Sequence, residues 1–543
     1  MGLFDPLAEI GYVIRDAVSY KGTTELPSRG WSTILNAVKG KTYFDFSLSI
    51  RQKVIEEIIR ERIRCLDRTA LRSAARLITY TIDSSKEHSV RAEVQENGKA
   101  VVIQCKYLIG ADGGKSTVRH LAGISFPGVT STFKWIRLDG IVKSDMPASR
   151  QGGVAVESST YGSVLWTPTD SGRTRIGFIC SDELYSQGVS AEVVMNEAKK
   201  AVKPFTLEFI NLDWWTVYAI GQRVAETFYD GPVLLVGDAA HTHSSGAAQG
   251  MNTGFHDASN LGWKLAGVLK GWFHKSILNT YDTERRASVE HLIQLDKDVA
   301  SLISGVIPEH YNPPSGANVH DYLNRVFEEN AAFTVGLGIN YELNVVNTTD
   351  RESLKCCNLQ IGYRLPDVLL YRPGVNIPKR LYEFMPNIGV FYTLVMVGEL
   401  DPDSPQPRLK QENLNALNKL RSSIEERFNL FQKQVRFLTI VKGSTVVQTT
   451  ETLQGPPIGK ALYDIQGQCY DLYGINESIS VVIIVRPDGI VSSIMPLDEP
   501  EKLWEYFSNF MKPNDDSSYG FELDQKVFNQ GEACGEVSLE DEA

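Results

Sequence analysis

The 543-residue chain has little cysteine, no long apolar run and no excess of basic charge. Its seven cysteines are odd in number, only Cys356 and Cys357 are adjacent, and no CxxC occurs. A disulfide scaffold and a structural zinc site are therefore not expected, and the setting reads as reducing and cytoplasmic. No stretch approaches the ~18 apolar residues of a membrane span. Met1–Leu7 lacks the basic and apolar regions of a signal peptide. Lys and Arg together number 55 against 66 acidic residues, a net charge of −11. That argues against a nucleic-acid binder, which presents a basic face. The composition, 42% hydrophobic and 22% charged, is that of globular domains.

What is present falls into recognisable stretches. In Ser49–Arg64, Val54, Ile55, Ile58, Ile59 and Ile63 form one helical stripe. Ala100–Asp112 reads as two short strands. The extended pattern from Ser131 to about Phe228 predicts an antiparallel sheet interrupted by a helix near Val193–Ala198. Val233–Val236 reads as a buried strand, and Phe255–Trp272 has helical spacing that continues to about Ser304. A Pro/Gly/Asn-rich break at 307–317 marks a connector. Apolar runs at Val390–Val397, Val435–Val441 and Ser480–Val485, separated by helical stretches, predict a second α/β unit. The last thirty or so residues are polar and acidic and read as disordered.

Two glycine turns carry the chemistry. Tyr107–Arg119, YLIGADGGKSTVR, is a strand, a turn and a helix start. Glycine lets backbone approach a phosphate or sugar, and the helix start offers free N–H groups. The turn is one residue too short for a P-loop. Taken alone, it reads as a junction with Asp112 as a helix cap. The second turn lies in Pro232–Asn252, PVLLVGDAAHTHSSGAAQGMN. A buried strand delivers Asp238 at its carboxyl end, where it can accept hydrogen bonds from sugar-like hydroxyls. Gln249–Asn252 then opens a helix whose end can hold negative charge. His241 and His243 have no third ligand nearby and do not read as a metal site.

Together these motifs resemble the flavin-dependent aromatic hydroxylases, in particular the phenol 2-monooxygenase-like branch. The likeness extends through LDWWTVYAIGQRVAE and YDTERRASVEHLI, and through GYRLPDVLLYRPG and VVIIVRPDGIV near the C-terminus. It implies an α/β (α+β) architecture: a Rossmann-like FAD-binding domain, an interleaved antiparallel substrate sheet and a thioredoxin-like C-terminal domain. The implied limits are 1–130 and 229–310 for FAD binding, 131–228 for the sheet, 311–361 for a connector and 362–511 for the C-terminal domain. Residues 512–543 form the acidic tail. In that family NAD(P)H reduces FAD, and O2 then supplies one oxygen atom to an electron-rich ring. The resemblance assigns FAD contacts to Gln52, Asp112, Gly113, Asp238 and Ala248, Gln249, Gly250, Met251 and Asn252. It also implies a homodimer and a small aromatic substrate, while the charge balance and the lack of a long apolar run point to no nucleic-acid partner and no membrane span.

The sequence departs from the family in two places. It contains no GxGxxG, the turn that holds the ADP half of FAD, so the first βαβ unit is expected to be missing. In TPTDSGRTRIGF, Thr169 stands where the phenol hydroxylases place an arginine and Gly177 where they place a tyrosine, while Arg175 is kept. Ser245 replaces a proline and Ala248 a glycine. Such a wall suits a substrate bulkier than phenol, as in specialised metabolism. Arg175 and Tyr218 are the expected substrate contacts, and no catalytic residue is assigned. Two alternatives stay open: a flavin oxidase or dehydrogenase that inserts no oxygen, and a non-catalytic remnant.

Overall fold

The computed structural model describes residues 2–26, 31–244, 248–349, 357–398, 400, 407–427, 430–443, 448–475 and 480–513. The acidic tail from 514 onward and Ser245 lie outside them.

In strand Gly162–Pro168, burial alternates residue by residue: Val164 and Trp166 are buried, while Ser163, Leu165 and Thr167 are partly open. That period of two marks a sheet with one packed face and one accessible face. The sheet has eight strands. In order they are His241–Thr242, Glu208–Val224, Gly128–Lys143, Thr174–Cys180, Gly162–Pro168, Gly153–Ser158, Ala17–Lys21 and Thr24–Leu26. Ile136, Leu138, Val164, Trp166, Ile176 and Phe178 pack its closed face against Val194, Ala198 and Ala201 of helix Ala191–Ala201. Ala17–Lys21, from the part expected to bind cofactor, pairs in parallel with Gly153–Ser158.

A second layer holds the two turns side by side. Leu108–Gly110 pairs in parallel with Val233–Leu235, and the buried Val233, Leu234 and Leu235 lie under helices Gly250–Leu269 and Asn279–Ile303. An antiparallel meander, Ala75–Ile82, Val90–Glu96 and Lys99–Cys105, precedes the first turn. The expected helix at Ser49–Arg64 runs from Gln52 to Leu66.

The three C-terminal apolar runs become strands Phe391–Met396, Val435–Lys442 and Val481–Val485 of a five-stranded mixed sheet. Pro407–Arg427 links the first two as a parallel crossover, and an antiparallel hairpin, Val481–Val485 with Val491–Pro496, closes the sheet. The expected second α/β unit is therefore present as one sheet with its crossover helix. A buried ionic cluster docks it on the rest. Glu284 of helix Asn279–Ile303 accepts hydrogen bonds from Arg486 at 2.7 and 2.9 Å, Lys264 at 2.7 Å and Asn260 at 2.8 Å. Burial would raise the Glu284 pKa, but Arg486 and Lys264 hold it low. Among the described residues no helix is long and apolar enough to cross a membrane.

Candidate functional site

The first turn packs tightly where strand meets helix. A Cβ on Gly110 would lie 2.8 Å from Val118 Cβ. Gly113 has φ +84°, the left-handed region that favours glycine, and has open space around it. The Asp112 carboxylate accepts the backbone N–H groups of Thr117 at 2.7 Å and Val118 at 3.1 Å, and the Ser116 hydroxyl. With Ser116, the N-cap residue whose hydroxyl accepts Arg119 N–H at 3.0 Å, it satisfies the first N–H groups of the helix Thr117–Leu121.

Arg119, which motif reading did not single out, ties the two turns together. Its guanidinium donates to the carbonyls of Gly114 at 2.8 Å and Ala239 at 2.7 Å and stacks on Phe126 at 3.7 Å. The only sequence signal was its place at the end of GADGGKSTVR.

In the second turn, Gly237 has φ +59° and the following Asp238 is exposed. Asp257, about two turns into the helix behind, holds this bend. Its carboxylate accepts from Gly237 N–H at 3.0 Å, His241 Nε2 at 2.8 Å and Arg285 Nε at 2.7 Å. Burial would raise the pKa of Asp257, but Arg285 and His241 keep it at about 2. The chain then passes through Ala248 (φ +53°) and Gln249 into Gly250–Leu269. Gln249 is buried and donates to the Thr334 carbonyl at 2.9 Å, so it does not cap the helix. Met251 and Asn252 are exposed on the first turn.

His243 stands against this helix start. Its Nδ1 faces the Ser244 carbonyl at 2.9 Å, and its Nε2 is buried with no hydrogen-bond partner among the described residues. Its Cε1 would lie 3.9 Å from a Cβ on Gly250. Burial lowers its pKa, so the imidazole is neutral.

This ensemble fits the flavin half of FAD. An exposed carboxylate meets sugar-alcohol hydroxyls, uncapped N–H groups meet an electron-rich ring, and an orphaned nitrogen awaits a polar group. Gln52 sits apart from it. It starts its helix and donates to Glu56 at 2.8 Å, and no hydrogen bond joins it to either turn among the described residues. Its neighbour Arg51 anchors that helix through buried Asp170, with Nε at 2.8 Å and Nη2 at 2.7 Å.

The open face of the eight-stranded sheet carries the second half of the site. Register sets Arg137 beside Gly177 and Thr216, Asp139 beside Arg175, and Trp135 beside Tyr218. Arg175 grips Asp139 through Nε and Nη2, both at 2.8 Å, in the bidentate geometry of a strong pair. Arg137 is buried over the Trp135 ring at 4.8 Å. It fills the space that Gly177 leaves: a Cβ on Gly177 would overlap the guanidinium and lie 2.7 Å from Arg137 Cδ. Tyr218 is partly buried and interacts electrostatically with both arginines. Thr169 is buried in the hairpin turn and donates to Asp170 at 3.1 Å. Sequence reading missed Arg137, because only the register brings it over position 177.

The two halves share one strand. His241–Thr242, which follows Asp238, pairs with Val224 and Arg223 at the sheet edge. Tyr218 lies five residues upstream on that strand, roughly 17 Å away at ~3.3 Å per residue.

Comparison with known proteins finds the FAD binding domain family over residues 30–296 and the phenol hydroxylase C-terminal dimerisation domain over 339–515. The chain is 28% identical over 494 residues to the FAD-dependent monooxygenase hkm7 of Aspergillus hancockii, covering 86% of this chain and 90% of that protein. It is 27% identical to the 3-hydroxybenzoate 4-monooxygenase of Comamonas testosteroni, covering 78% and 71%. Among solved structures, the anhydrotetracycline hydroxylase OxyS of Streptomyces rimosus superposes with a TM-score of 0.66 at 20% identity, covering 94% and 88%. Aklavinone-11 hydroxylase in complex with FAD and aklavinone gives 0.63 at 18%, covering 92% and 85%.

Proposed function

The chain belongs to the FAD-dependent aromatic hydroxylases, and from that premise we propose that it uses NAD(P)H and O2 to hydroxylate a phenolic or polyketide-like aromatic. The observation that carries this reading is the shared strand. It joins a turn suited to the flavin half of FAD to a sheet face bearing two arginines and a tyrosine. The 6-methylpretetramide 4-monooxygenase of Streptomyces rimosus, 32% identical over 48% of the chain, supports a polyketide-like substrate.

When bound, FAD supplies the electron transfer and oxygen activation that no side chain provides. The chain's residues bind and orient. Asp238 accepts hydrogen bonds from hydroxyls, and the start of Gly250–Leu269 offers N–H groups to developing negative charge. Gly113 leaves its loop open to a ligand. On the sheet, Arg175 is held rigid by Asp139, and the buried Arg137 places a second guanidinium beside them. A substrate hydroxyl placed there is more readily deprotonated, which enriches its ring in electrons. Gln52, toward FAD, and Tyr218, toward the substrate, are the remaining proposed contacts. In this division 1–130 and 229–310 hold cofactor, 131–228 the substrate, and 362–511 contact a second copy. Homodimerisation is supported by the match to a dimerisation domain.

The test is NAD(P)H oxidation by the full chain with FAD, across a panel of phenolics and aromatic polyketides under labelled O2. Substrate-stimulated oxidation and a product carrying one labelled oxygen are expected. No stimulation by any compound would overturn the reading.

A further inference from the structure

Two histidines at the flavin-type turn each keep one buried ring nitrogen without a hydrogen-bond partner among the described residues, Nδ1 of His241 and Nε2 of His243. The neighbouring His241 is bound through Nε2 to Asp257, which also holds the backbone of Gly237. Asp112 is consumed by its helix. His243 differs from His241 in holding no other element of the fold: its Nδ1 meets only the carbonyl of the adjacent Ser244, and its Nε2 is buried without a partner among the described residues. Burying an acceptor unpaired costs a substantial fraction of a domain's stability, so such a group calls for a partner that arrives later.

The tautomer defines what that partner must be. The Ser244 carbonyl can only accept, so Nδ1 carries the proton. The buried ring is neutral, which leaves Nε2 as an acceptor. The ring edge bearing it lies against Gly250, the first residue of the helix behind the proposed flavin position. The exposed Asp238 carboxylate, on the same loop, is also an acceptor. The turn therefore offers acceptors to a ligand rich in donors, which matches sugar-alcohol hydroxyls and imide N–H groups.

We propose that His243 is a cofactor-contacting residue whose Nε2 accepts a hydrogen bond from an O–H or N–H group of the flavin half of FAD. The proposal rests on the FAD reading above.

The experiment compares the full-length apoprotein with His243→Phe, which keeps a ring but removes the acceptor, and His243→Gln, which keeps an acceptor. FAD affinity is measured by fluorescence quenching and melting temperature with and without FAD. His243→Phe is expected to bind FAD about tenfold more weakly, the size of one buried hydrogen bond. Without FAD its melting temperature should change little, because removal of the unsatisfied Nε2 offsets loss of the Nδ1–H bond to the Ser244 carbonyl. His243→Gln should recover most of the affinity. His243→Leu serves where the phenylalanine variant does not fold. A purely structural histidine gives the reverse result: a lowered apoprotein melting temperature with unchanged FAD affinity, and that outcome overturns the proposal. Wild-type protein that binds no FAD overturns the cofactor reading itself, and this contact with it.

Discussion

Replacing Asp257 by asparagine removes one oxygen acceptor at the point where three donors converge. Oδ2 takes Gly237 N–H and His241 Nε2, and Oδ1 takes Arg285 Nε. The amide nitrogen of asparagine cannot accept, so either Arg285 or the Gly237–His241 pair faces a donor. All of these side chains are buried, and among the described residues Arg285 would keep Tyr341 Oη at 3.1 Å as its side-chain partner. Breaking a buried ion pair by removing one charge costs about 3–5 kcal/mol, against a total stability of roughly 5–15 kcal/mol. Urea unfolding of apo Asp257→Asn is therefore expected to show a loss of about 4 kcal/mol. The pH dependence supplies a second reading. Asp257 has a folded pKa of about 2, below the ordinary 3.8. Its stabilisation is full above pH 4 and is lost as pH falls toward 2, amounting to about 2 kcal/mol. The variant should lack that segment of the acid-unfolding curve. A stability loss under ~1 kcal/mol with an unaltered acid profile would refute the assignment of this carboxylate as the anchor of the bend.

Two further expectations concern positions on either side of the second glycine turn. Gly177→Ala should destabilise by about 1–3 kcal/mol through overpacking, and the cost should shrink in an Arg137→Ala background if the guanidinium is what it strikes, which a double-mutant cycle in urea would measure. Burial, helped by Arg285 and Arg364, pushes the pKa of His256 down to about 3. The unfolded chain then takes up a proton that the folded one refuses, so stability should fall as pH drops from 6.5 toward 3, by up to ~1.4 kcal/mol per pH unit. His256→Gln should flatten that slope, and an unchanged slope would count against it.

Much of the fold was legible wherever one segment carries its own signal. The isoleucine stripe became helix Gln52–Leu66, and the three apolar runs near the C-terminus became the strands of one sheet. Leu108–Gly110 and Val233–Leu235 lay where their turns required them. Other elements gave no such signal. The connector expected over 311–361 contains helix Val319–Thr334, whose Leu323, Val326 and Phe327 gain their meaning by packing on Val299, Leu302 and Trp135. The hairpin Ala75–Ile82 with Val90–Glu96 has half-exposed, charge-bearing strands with weak alternation, and it was not read at all. The N-terminal Ala17–Lys21 is too short to announce a sheet, and its partner lies at Gly153–Ser158.

The sequence by itself determined the parts whose physics is local: which runs are apolar enough for buried strands, where glycine permits a bend, and which loop sets a carboxylate at a strand's end. It located Asp112, Gly113, Asp238 and the 248–252 segment as one kind of loop chemistry. Only the tertiary structure decided what those groups do with their partners. It spent Asp112 on a helix cap, ran Arg119 between two turns, seated Arg137 in the gap at Gly177 and left His243 Nε2 without a partner among the described residues. The reason is physical. A hydrogen bond or an overlap depends on groups within a few ångströms, and strand register and helix packing bring those groups together from positions 40 or more residues apart in Arg137 and Gly177 and 120 apart in Arg119 and Ala239.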